Sequence, residues 1–292
     1  MDSLTQITLG AAVGEVVLGR KLGNRAMMWG AIGGTIPDLD VISNLVMTEL
    51  DALAVHRGIT HSIFFSVAGG LACAWLVHRL YQTGTYRRRW YKACVTVTNL
   101  LLLLLMVFAV NQISGGWTGT IIAASIAVYL GWRLVSRYLN ADLEQVDVSY
   151  RSWAWLFFLA FFTHLLLDCF TAFGTQVFLP FSNLRVAFNT IAVVDPGYTV
   201  PFVLLIILAA TRRRSDPSRQ LLTRLGIGLS SLYLLVTVIN KERVDQVFSS
   251  ALAHRGIAAD RCRTSPTILN NLLWNCVAED PDAYYVGLYS VR

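Results

Sequence analysis

The sequence predicts an all-α polytopic membrane bundle of six to eight hydrophobic helices, followed by a small C-terminal α+β cap outside the membrane. Three observations carry this. Hydrophobic residues make up 55% of the 292-residue chain and charged residues only 14%, with a mean hydropathy of +0.53; soluble domains carry nearer a quarter charged residues. The apolar residues fall in segments close to the length a bilayer demands. The last fifty residues break this pattern: from Lys241 onward the chain holds six Lys/Arg and six Asp/Glu.

The spanning segments are expected at Ile63–Leu80, Ala93–Ile113, Trp117–Leu134, Trp153–Phe170 and Leu222–Ile239, with Tyr198–Ala210 shorter but wholly apolar. Two short, Gly-rich segments open the chain, Leu4–Leu18 and Ala26–Ile36. They read as a hairpin inside the bundle, because Gly10 and Gly14 form a GxxxG pair that lets a second helix come close. The chain thus divides into a membrane domain, residues 1–240, and a cap, residues 241–292. In the cap, Ala283 to Val291 alternates apolar and polar residues as a strand does, Trp274–Ala278 is a partner strand, and Glu279-Asp-Pro-Asp282 is the turn between them. Cys262 and Cys276 could pair there, since the expected compartment is oxidising. Cys73, Cys94 and Cys169 fall in helices as packing residues.

Loop charges give the orientation. Arg20, Lys21 and Arg25, then Arg79, Arg87, Arg88, Arg89 and Lys92, then Arg133, Arg137 and Arg151, and finally Arg212, Arg213, Arg214 and Arg219 fall on one side if the segments alternate. The positive-inside rule makes that side cytoplasmic. The N-terminus is acidic and has no basic n-region, so insertion is expected to rely on the helices themselves. Both termini then face the periplasm or exterior of an inner membrane, as do the loops 35–60, 114–116 and 172–197. The basic residues are spent on topology, and no nucleic-acid motif accompanies the net charge of +6.

This topology gathers the residues with chemistry. Pro37-Asp38-Leu39-Asp40 and His56-Arg57-Gly58-Ile59-Thr60-His61-Ser62 lie on the outer side. His164 and Asp168 come late in an outward-going helix, one turn apart on one face. Ionisable groups at membrane depth are costly, so their clustering points to a site. His56, His61, His164, Asp168, Asp38 and Asp40 are the candidate metal ligands, with Glu15 and Asp195 as further candidates. Of Asp38 and Asp40, one binds a metal while the other bridges a second metal or orients a histidine. Neutral imidazoles with carboxylates suit Zn²⁺, and a carboxylate-rich variant suits Mn²⁺ or Mg²⁺. Glu15 has a competing reading as partner to Arg20 or Lys21. Thr60 is the expected cap of the Ile63 helix, with Ser62 as the alternative.

These motifs carry a resemblance. The Gly-rich opening, Pro37-Asp38-Leu39-Asp40, the HRGxTHS string at 56–62, and His164-Leu-Leu-Leu-Asp168 continuing to Thr171, Gly174 and Pro180 resemble the YdjM-type family of membrane-bound, metal-dependent hydrolases. Gly174-Thr-Gln, Phe178-Leu-Pro-Phe-Ser182, Val194-Asp195-Pro196 and the soluble tail resemble its longer branch. The family is distantly similar to zinc-dependent phospholipase C, which implies phosphoester hydrolysis by analogy of fold. Shorter relatives have a histidine where this chain has Gln6, a poor zinc ligand, and the resemblance there implies a different ligand set or one metal position fewer.

The expected function is an integral membrane metal-dependent hydrolase acting on a phosphoester, such as a membrane lipid or lipid-linked headgroup, at the outer face. A carboxylate, Asp38 or Asp40, would serve as general base, and Arg57 and Arg185 would hold the developing anion. Two other classes compete. A cation transporter using the same polar cluster would need ionisable residues in the cytoplasmic halves of the helices, where they are sparse. A non-catalytic scaffold would bind a partner through its tail.

Overall fold

The structure is a computed structural model that describes residues 1–45, 57–114 and 116–292. Eight helices are present among the described residues: α1 Ser3–Leu22, α2 Asn24–Thr35, α3 Ile63–Gln82, α4 Arg89–Ser114, α5 Trp117–Arg133, α6 Tyr150–Cys169, α7 Pro196–Thr211 and α8 Pro217–His254. Five are long and apolar enough to cross a membrane: α3, α4, α5 with its continuation to Leu139, α6 and α8. α7 is a shorter apolar helix. Three antiparallel strands follow in the order β1-β2-β3, namely Arg261–Pro266, Leu273–Glu279 and Tyr284–Ser290. The chain forms two compact units, one from Met1–Trp75 with Tyr150–Arg292, the other from Leu76–Ser149.

In the first unit, α1 and α2 form a hairpin with their backbones in contact. A Cβ on Gly10 would stand 2.2 Å from the Gly30 carbonyl oxygen, and one on Gly14 2.1 Å from that of Ala26. A Cβ on Gly34 would stand 2.4 Å from the Gln6 carbonyl oxygen. Only glycine permits this approach, so the small-residue stripe locks the hairpin in register. Gly10→Val should therefore lower stability by about 1–3 kcal/mol or more, the usual cost of overpacking. A thermal melt of the detergent-solubilised variant reads it, and an unchanged midpoint would contradict the close contact.

The hairpin ends are tied down by polar pairs. Asp2 caps α1, accepting from the Thr5 amide at 3.0 Å. At the other end Glu15 meets Arg219 of α8, with Nε to Oε1 at 2.7 Å and Nη2 to Oε2 at 2.5 Å. Arg219 also donates to Asn24 Oδ1 at 2.7 Å and to the Arg212 carbonyl at 3.0 Å. One buried guanidinium thus joins α1, α2 and the start of α8.

α6 is the most enclosed of the spans. Trp153, Leu156, Phe157, Phe161 and Leu165 on it are essentially inaccessible, and Gly33 of α2 packs against its Ala160. The second unit is the α4–α5 hairpin with its flanking segments, where Tyr86 stacks on Tyr81 and Lys92 donates to the Ala141 carbonyl at 2.8 Å.

The C-terminal sheet has the expected second and third strands. β1 was not among the expected elements, because Arg-Cys-Arg-Thr-Ser-Pro hardly alternates in hydropathy. α8 runs without a break through position 240, so the expected domain boundary falls inside a helix whose end packs on the sheet through Val244, Phe248, Trp274 and Cys276. Cys262 and Cys276 are free thiols. They face Ala278 and Thr264 respectively across β1 and β2, so they sit diagonally rather than opposite each other.

Candidate metal centre

Short segments and helix ends carry the cluster. Residues Ile36–Leu45 continue α2 as a 3-10 helix that presents Asp38. A second 3-10 turn, Ile59–His61, presents His61 just before α3. The last two turns of α6 supply His164 and Asp168. Asp38, His61, His164 and Asp168 each bring one ligand atom to a single point, all within 4.8 Å of one another.

The spacing has the dimensions of a metal cage. His61 Nε2 lies 3.1 Å from His164 Nε2. Asp38 Oδ1 lies 3.4 Å from His61 Nε2 and 3.3 Å from His164 Nε2. Asp168 Oδ2 lies 3.4 Å and 3.5 Å from the same two nitrogens. A tetrahedron whose centre is about 2.0–2.1 Å from each ligand has edges of about 3.3–3.4 Å, the shape four-coordinate zinc requires.

Hydrogen bonding explains how the cluster could hold a cation. His164 Nδ1 donates to the Gly34 carbonyl at 2.7 Å, leaving its Nε2 as a lone pair. His61 Nδ1 faces Asp40 Oδ2 at 3.3 Å and Thr60 Oγ1 at 3.1 Å, so its Nε2 is also directed as a lone pair. Two lone pairs and two carboxylate oxygens then converge with no donor of their own between them. Asp168 Oδ2 is buried without a hydrogen-bond partner. Burial works against protonation of His61, yet the Asp168, Asp38 and Asp40 carboxylates push its pKa up to about 10, so a cation entering the cluster would take the place of the proton these carboxylates otherwise hold on the ring. Burial likewise opposes ionisation of Asp38, but the His164 and His61 rings beside it hold its carboxyl well below the usual range. The donor set fits a first-row divalent ion.

A supporting layer surrounds these four side chains. Asp40 accepts from the Arg57 amide at 2.9 Å and from Thr60 Oγ1 at 3.1 Å while facing the His61 ring. Of the two aspartates, Asp38 therefore meets the cage and Asp40 stands behind it. Gln6 donates to Asp168 Oδ1 at 3.0 Å and to the His164 carbonyl at 3.3 Å, and the Met1 amino group pairs with Asp168 Oδ1. Arg57 adopts φ 61°, an unusual conformation for a residue with a side chain. Its Nε sits 3.5 Å from Asp168 Oδ2, its Nη1 donates to Thr171 Oγ1 at 2.8 Å, and its guanidinium lies over the Phe173 ring. Orienting partners of this kind typically change metal affinity 10–100-fold when removed. Asp40→Ala should weaken metal binding by about that factor without abolishing it. A competition titration against a chelator reads this, and loss as complete as in His61→Ala would make Asp40 a ligand instead.

Several expected residues lie elsewhere. Glu15 is held by Arg219, because a buried carboxylate needs a full set of donors and the guanidinium supplies them. Asp195 caps α7, accepting from the Gly197 amide at 3.0 Å and from the Tyr233 hydroxyl at 2.9 Å. Arg185 is exposed and donates to the Phe173 carbonyl at 3.3 Å. His56 lies outside the described residues. Ser62 rather than Thr60 caps α3, accepting from the Phe65 amide at 3.1 Å, since the Thr60 hydroxyl is taken by Asp40 and His61. Sequence reasoning had Gln6 only as a poor zinc ligand and Arg219 only among the basic loop residues, and missed the contacts they make. Gln6 had a signal: Gln6, Gly10 and Gly14 recur every four residues on the α1 stripe that meets α2.

Fold and cage define a class, a polytopic helical membrane protein with a buried cluster of two histidines and two aspartates that could hold a metal ion. The chain belongs to the YdjM inner membrane protein family, which matches residues 1–244. No curated protein and no solved structure matches it.

Proposed function

We propose that the protein is a metal-dependent hydrolase of the inner membrane that cleaves a phosphoester at the outer face. The observation that carries this reading is the cage of four converging acceptor atoms with the Arg57 guanidinium beside it. The positive-inside reading of the basic loops supports an outer position for the cage, because His164 and Asp168 lie near the end of α6 and His61 precedes α3.

Asp38, His61, His164 and Asp168 would hold the ion. When bound, a divalent ion supplies Lewis acidity and makes water a nucleophile near neutral pH. Asp38 is the one side chain of the four open to solvent, 21% exposed against 1% or less for the others. It is the carboxylate placed to take a proton from attacking water. Arg57 Nε, buried without a hydrogen-bond partner, is placed to hold the negative charge that grows on a phosphoryl oxygen. Asp40, Thr60 and Gln6 keep the rings and Asp168 in place.

One observation favours a second reading. Four protein side chains offer one ligand atom each, which is the number a structural zinc site uses, whereas catalytic sites keep one position open. The ion would then serve as a clasp between α2, α3 and α6. Turnover decides between the two. Metal-loaded protein in vesicles is expected to release phosphorylated headgroups from a phosphoester lipid, and His61→Ala is not. Stoichiometric metal with no turnover on any phosphoester would leave the clasp.

A further inference from the structure

The segment between α6 and α7 is built inside out. Thr171 and Thr175 on it are fully buried, while Phe173, Phe178, Phe181, Leu184 and Phe188 stand between 44% and 86% exposed. A loop in water does the reverse. Nor is the segment loosely held. Thr175 and Val186 exchange amide hydrogen bonds at 3.0 and 2.9 Å, the Ile63 amide donates to the Val177 carbonyl at 3.0 Å, and the Phe188 amide donates to the Cys169 carbonyl at 2.7 Å. Val177 packs on Leu165 and Cys169. The apolar side chains are therefore presented outward by a fixed frame.

Place and charge identify what covers them. The frame is bonded to the first residue of α3 and the last of α6, both spanning helices, so it sits where these helices leave the bilayer. Residues 171–190 contain no acid and a single base, Arg185. Phenylalanines with one cation suit the boundary between acyl chains and anionic headgroups. One of these rings also touches the candidate centre: Phe173 lies under the Arg57 guanidinium, 5.5 Å from its centroid, and is still 55% exposed on its other side.

We infer that residues 173–188 form a rigid collar set into the lipid leaflet on the side of the cage, and that the ligand of the site is a membrane-resident amphiphile with an anionic headgroup. Its headgroup reaches Arg57 past Phe173 while its chains stay among the collar phenylalanines. The ligand class rests on the hydrolase reading above; the immersion of the collar does not.

Site-specific photocrosslinking tests both parts on the full-length protein. p-Benzoylphenylalanine replaces Phe181 or Phe173 in vesicles of phosphatidylethanolamine and phosphatidylglycerol, and the adducts are weighed. Leu101 of α4 serves as the membrane control and Tyr284 of β3 as the water control. Phospholipid adducts at both collar positions, at the Leu101 level, are expected. An adduct at Phe181 alone would overturn entry from the membrane, and Phe181 at the Tyr284 level would overturn the collar itself. Metal content of the same preparations separates the two ideas, because adducts in a protein that binds no metal would overturn the hydrolase reading and leave the collar standing.

Discussion

Asp168→Ala is expected to be the most damaging single substitution in the chain. Asp168 faces His61, His164, Arg57, Gln6 and the Met1 amino group, and it is fully buried. Removing it leaves the Arg57 guanidinium in the interior without its counter-charge. Breaking a buried ion pair from one side costs about 3–5 kcal/mol, because the remaining charge keeps its desolvation penalty. Two results should therefore appear together: loss of metal and a large drop in thermal stability. Asp168→Asn separates them. The amide keeps the shape and can hold Gln6, so much of the fold should survive while metal affinity falls. Thermal melts with elemental analysis of both variants check this. An Asp168→Asn protein that keeps full metal would place the ion elsewhere.

Glu15→Ala should be comparably destabilising for a different reason. Its carboxylate is the partner of a guanidinium that joins α1, α2 and α8, and removal strands that charge at a cost of about 3–5 kcal/mol. Replacing both partners, as in Glu15→Leu with Arg219→Met, should recover most of the loss, since apolar pairs of similar volume often match a buried ion pair. The coupling belongs to packing, so the double variant should bind metal as the wild type does. Loss of metal from a well-folded double variant would return Glu15 to the ligand set. A double-mutant cycle on the melting midpoint measures the coupling.

The helices and the core of the cluster were legible in the sequence because each rests on a local signal. Apolar runs of bilayer length gave the spans, and the four-residue step from His164 to Asp168 gave one face of a helix. Pro37 followed by Asp38 and Asp40 marked a helix end, but spacing could not say which aspartate enters the cage. That depends on where the His61 ring lies, and its placement comes from a turn 20 residues later. Glu15 was ambiguous for a related reason. Its nearby bases are Arg20 and Lys21, whereas its actual partner is 204 positions away. Asp195 carried a readable sign that was passed over: an acid followed by proline is the signature of a helix start, and Pro196 indeed opens α7. The collar was hidden because an outward phenylalanine and a buried one look alike until the backbone frame is known.

Asp38, His61, His164 and Asp168 are expected to hold one divalent ion. Elemental mass spectrometry of the detergent-purified protein, with His61→Ala beside it, tests this most directly. Stoichiometric zinc or another first-row metal is expected in the wild type and none in the variant. Folded wild-type protein that carries no metal, even after reloading, would contradict it.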